Sequence, residues 1–104
     1  MISPKLHWPA DKIEAFCRKW KIARMELFGS ALRDDFRDDS DVDVMVTFVE
    51  GARWSMFHLL EMEEEISMIL DRPVDLMTRR GVELSRNEFR RESILESAET
   101  VYGS

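Results

Sequence analysis

An α/β fold, with a small mixed β-sheet and helices packed mainly on one face, is what this sequence predicts, and three observations predict it. Segments with apolar residues at helical spacing alternate along the chain with short runs of alternating or β-branched residues. The breaks between them fall at turn formers, Gly29, Gly51, Pro73 and Gly81. The length of 104 residues fits one domain, 1–104, built on a single core.

Each element has its own justification. From Pro9 to Trp20, Ile13, Phe16, Cys17 and Trp20 recur at helical spacing, with Pro9 suited to the first turn. Between Ile22 and Phe28, Ala23, Met25 and Leu27 alternate with Arg24 and Glu26, the pattern of a strand that ends at Gly29. Ala31 to Phe36 has room for a helical turn or two before the polar run Arg37-Asp38-Asp39-Ser40. Asp41 to Phe48 alternates at its start and is rich in β-branched residues, so a second strand is expected. Ser55 is placed to cap a helix carrying Met56, Leu59, Leu60, Ile66, Ile69 and Leu70. Asp71-Arg72-Pro73 stops it, because the residue before proline avoids the helical region, and Val74 to Thr78 reads as a third strand. Ser85-Arg86-Asn87-Glu88 matches a capping box opening a last helix, with Ile94, Leu95, Ala98, Val101 and Tyr102 on its apolar side.

Composition narrows the classes of function. Apolar residues at 44% and charged residues at 35% describe a soluble globular protein. The net charge of -6 repels phosphate backbones, so no nucleic-acid partner is expected. No apolar run is long enough to span a bilayer and Met1 to Trp8 lacks a signal-peptide core, so the expectation is a cytoplasmic protein with no membrane association. Cys17 is the single cysteine and fits a core position, while His7 and His58 have no neighbours at zinc-ligand spacing.

The chemistry concentrates in a few acidic and glycine positions. Asp41 and Asp43 fall on one face of a strand, with Cα atoms roughly 7 Å apart, while Val42 and Val44 face the core. Paired carboxylates raise each other's pKa and call for a cation. Mg²⁺ suits them, since it is commonly held by one or two carboxylates plus substrate phosphates. Gly29-Ser30 stands where a strand turns into a short helix, a junction that aims backbone N–H groups at an anion. Arg33 follows three residues later as a phosphate ligand or an exposed helix arginine. Asp75, on the third strand, supplies a further carboxylate for metal binding or proton acceptance if its strand neighbours the second. A phosphate cradle beside metal carboxylates describes phosphoryl or nucleotidyl transfer. The plainer alternatives are solvated aspartates at these positions and, for Arg79, Arg80, Arg86, Arg90 and Arg91, a wet helix face in place of a grip on triphosphate, RNA or an acidic partner.

Gly29-Ser30, ten residues, then Asp41-x-Asp43, with Asp75 downstream, resembles the signature of the DNA polymerase β-type nucleotidyltransferases. Leu27-Phe28-Gly29-Ser30 and Ser40-Asp41-Val42-Asp43-Val44, in so short a chain, resemble the minimal nucleotidyltransferases (MNT) of that superfamily. One departure is Asp34-Asp35, where many relatives have glycine. The resemblance implies transfer of a nucleoside monophosphate, AMP from ATP, onto a hydroxyl of a partner protein, with the chain acting as antitoxin of a HEPN-domain ribonuclease toxin. It also implies that Asp41 and Asp43 bind Mg²⁺, that Asp75 binds metal or assists the acceptor, and that Gly29, Ser30 and Arg33 hold the triphosphate. An antitoxin that masks its toxin without catalysis and a transferase acting on a small-molecule acceptor remain open alternatives.

Overall fold

The structure, a computed structural model, describes residues 6–29 and 41–103. Its elements are α1 (Ala10–Lys19), β1 (Ile22–Phe28), β2 (Val42–Phe48), α2 (Met56–Leu70), β3 (Val74–Thr78), α3 (Arg79–Glu83), α4 (Glu88–Ser97) and β4 (Glu99–Tyr102). The strands form one sheet in the order β3-β2-β1-β4. β1 runs antiparallel to β2 and β4, and β2 runs parallel to β3, so the sheet is mixed. The helical turn expected over 31–36 lies outside the described residues.

Strand alternation divides the side chains between two faces. Met25 and Leu27 of β1, Val42, Val44 and Val46 of β2, and Val74 of β3 join Ile13, Phe16 and Cys17 of α1 and Met62, Ile66 and Leu70 of α2 in the larger core. On the opposite face a smaller cluster joins Phe28 and Met45 to Val82 of α3 and Ile94 of α4. The longest helix and most of the apolar burial therefore belong to one face, and the short α3 and α4 cover only part of the other.

Helix α2 stops as expected, with Asp71 in the left-handed region (φ 55°) and the N–H of Arg72 donating to Ser67 O at 3.1 Å, a Schellman-type turn. Its side chains then cover the edge of β3. Ser67 Oγ accepts from Val74 N–H (3.2 Å) and Glu63 Oε2 from Leu76 N–H (3.0 Å), which closes an edge that would otherwise invite strand addition.

The last third of the chain departs from expectation. α4 is capped by Asn87, whose side chain accepts from Arg90 N–H at 3.1 Å, rather than by Ser85. It ends at Ser97, and Val101 and Tyr102 belong to a fourth strand paired with β1, not to the helix. These two residues do fall at helical spacing from Ile94 and Ala98, but the open edge of β1 offers backbone partners, which outweigh a weak local preference. α3 was also not anticipated; Thr78 Oγ1 caps it by accepting from Gly81 N–H at 3.0 Å.

Candidate active site

The parallel pairing of β2 with β3 sets Asp43 directly beside Asp75, and the antiparallel pairing of β1 with β2 sets Phe28 opposite Asp43. Phe28, Asp43 and Asp75 thus form one row across three strands. Glu26, Met45 and Met77 form the next row on the same face. Asp41 directly precedes β2, two residues before Asp43. Val42 is fully buried on the other face, so its packing fixes the direction in which its acidic neighbours project.

Gly29 follows Phe28 at the end of β1 and adopts φ 74°, a conformation that favours glycine. A Cβ there would lie 2.5 Å from Asp43 Oδ2. The carboxylate of Asp43 therefore sits against a backbone turn that only the absence of a side chain leaves open. Ser30 and Arg33, the other expected triphosphate ligands, lie outside the described residues.

The electrostatics match this crowding. Asp43 is half-buried, whereas Asp41 and Asp75 are exposed. Burial first, then repulsion from Asp75 and Asp41, hold the Asp43 carboxyl above the ordinary carboxylate range, and Arg90 pulls it partly back. Among the described residues no group of three or more histidine, cysteine, aspartate or glutamate side chains is placed to hold a metal ion by itself. An open row of carboxylates is nevertheless the donor set that suits Mg²⁺, which completes its octahedron with phosphates and water.

Two residues of this face carry more than their sequence context indicated. Glu26 is buried, 3% exposed, and pairs with Arg79 Nη1 at 2.8 Å and Arg24 Nε at 3.5 Å. Arg24 in turn donates to Thr100 Oγ1, tying the row to β4. Arg90 reaches the field of Asp43 from α4. In sequence, Glu26 is one polar position of an alternating strand and Arg90 one of five clustered arginines; their spacing contains no sign of their partners.

Comparisons with known proteins bear on the family and the fold. A candidate protein adenylyltransferase of Methanocaldococcus jannaschii is 36% identical over 78 residues, which cover 75% of this chain and 75% of that protein. The structure of a candidate minimal nucleotidyltransferase superposes with a TM-score of 0.65 at 28% identity, covering 86% of this chain and 85% of that one. A chain from the complex of tri-AMPylated Shewanella oneidensis HEPN toxin with MNT antitoxin shares the fold, with a TM-score of 0.61 at 21% identity over 90% of this chain and 69% of that one. The family model described as the nucleotidyltransferase domain matches residues 11–101, from α1 into β4, and this chain belongs to that family.

Proposed function

We propose that this chain is a Mg²⁺-dependent protein adenylyltransferase that moves AMP from ATP onto a hydroxyl of a HEPN-domain toxin and so acts as its antitoxin in the cytoplasm. The observation that carries the reading is the pairing of Asp43 with Asp75 on adjacent strands, against the turn at Gly29. The name of the M. jannaschii relative and the AMPylated toxin in the S. oneidensis complex support the choice of donor and acceptor.

The residues divide the work by position. Gly29, Ser30 and Arg33 bind the triphosphate. Asp41 and Asp43, with Asp75, would hold Mg²⁺, and the ion would neutralise the phosphate charge that these acids otherwise repel. Asp75, exposed beside Asp43, faces the incoming acceptor and takes the proton of its hydroxyl. The acceptor oxygen bonds to the α-phosphorus as the bond from that phosphorus to the bridging oxygen breaks, and pyrophosphate leaves with the bonding electrons.

Single-turnover transfer from labelled ATP to the HEPN partner, measured beside ATP binding, tests the assignment. Asp75→Asn should lower the rate by roughly 10²- to 10⁴-fold, the range for loss of a positioned base, with ATP affinity little changed. Asp41→Asn with Asp43→Asn should abolish transfer and leave the circular dichroism spectrum of the folded chain. Transfer by the double variant within about threefold of wild type would overturn the proposal.

A further inference from the structure

The arginines of the last third of the chain are not equivalent. Arg79 is committed to Glu26 at 2.8 Å, and the guanidinium of Arg91 donates to Ser85 O at 3.2 Å. Arg90 forms no salt bridge among the described residues and is exposed on α4. It stands at the rim of a cavity of about 340 Å³ bounded by the end of β3, α3 and α4.

Two features relate this cavity to the carboxylates. Its floor includes Met77, which is two residues beyond Asp75 on the same face of β3 and pairs with Met45 in the row next to Asp43. The cavity thus begins roughly 7 Å along the strand from Asp75. Val82 and Ile94 complete an apolar floor, and Thr78 and Ser85 join Arg90 at a rim of hydrogen-bonding groups. A flat heteroaromatic body fits such a floor, with methionine adapting to its face. A cation on the same rim suits an attached anion. The volume lies at the lower end of small-molecule sites, larger than one amino-acid side chain needs and adequate for a nucleoside.

We propose that the cavity between α3 and α4 binds the nucleoside of the donor triphosphate, and that Arg90 contacts one of its phosphates. The proposal rests on the nucleotidyltransferase reading above and names the part of the chain that selects a nucleotide over a bare polyphosphate. Arg90 then links the nucleoside pocket to the acidic row, so that base recognition and phosphate placement use one helix.

Calorimetry with α,β-methylene-ATP, which cannot be transferred, and with inorganic tripolyphosphate, both with Mg²⁺, separates the two readings. Wild type should bind the nucleotide analogue more tightly than tripolyphosphate. Ser85→Phe, which fills the cavity from its rim, should weaken the analogue by at least about tenfold and leave tripolyphosphate within about twofold. Arg90→Gln should weaken both ligands by about tenfold, because each loses a charge-assisted contact. Analogue binding by Ser85→Phe equal to wild type overturns the nucleoside site while the transferase reading stands. Failure of wild type to bind either ligand overturns both. If Ser85→Phe shows no cooperative melting, Arg90→Gln carries the test, since its side chain is exposed, and unchanged analogue affinity there overturns the proposal.

Discussion

At the scale of single residues, Asp43 carries a burden set by its surroundings. Its folded pKa is raised by burial and by Asp75 and Asp41, so above that pKa the ionised group is less favourable in the fold than in the unfolded chain. The penalty is present at neutral pH and is relieved as pH falls through the raised value. Asp43→Asn in EDTA should therefore melt a few degrees above wild type at pH 7, with the difference shrinking in acid; equal melting temperatures at pH 7 would show that the acidic row is not strained. Cys17 shows the opposite use of burial: its thiol, pushed up to about 12 by desolvation and then by Glu14, stays protonated and unreactive in the core. The projection of Asp43 away from the core was legible because strand alternation converts spacing directly into a shared face, whereas the place of Asp75 beside it depended on the strand order. Arg90 was not, because its relation to Asp43 crosses from a helix to a strand.

Among the elements, β3 is an edge strand whose exposure is managed by α2. The Leu76 N–H depends on Glu63 Oε2, and removal of that acceptor leaves the donor to water or to another chain. Glu63→Ala should lower unfolding free energy by about 1–3 kcal/mol in urea titrations and increase self-association at high concentration. A loss below the error of the titration would make the contact incidental. β4 illustrates the limit of periodicity. Ile94, Ala98, Val101 and Tyr102 follow helical spacing, yet Ala98 is extended and Tyr102 pairs with Met25. Gly103 then fits against Ala23 O, where a Cβ would lie at 2.1 Å, a close approach no local pattern announces.

For the whole molecule, a net charge of -6 and a row of carboxylates oppose a triphosphate unless a cation accompanies it. A ligand that binds only the folded state stabilises it by mass action, about 2.7 kcal/mol at a hundredfold excess over Kd. With Mg²⁺ and saturating ATP the melting temperature should rise by roughly 10 °C or more, and EDTA should remove the shift. An ATP-induced rise that EDTA leaves intact would take the metal out of the site. Among the described residues no helix is long and apolar enough to cross a membrane.

Local rules sufficed wherever the information is local. The strands at Ile22–Phe28, Val42–Phe48 and Val74–Thr78, the helices at Ala10–Lys19 and Met56–Leu70, and the projection of Asp43 away from the core that takes Val42 and Val44 all follow from periods of 3.6 and 2. Strand order is different in kind. The pairing of Asp43 with Asp75, the seating of Gly29 on the Asp43 carboxylate, the joining of Glu26 to Arg79 and the addition of β4 beside β1 join residues distant in the chain. Such contacts depend on which surfaces remain unburied after the helices dock, a competition settled only when the whole chain packs.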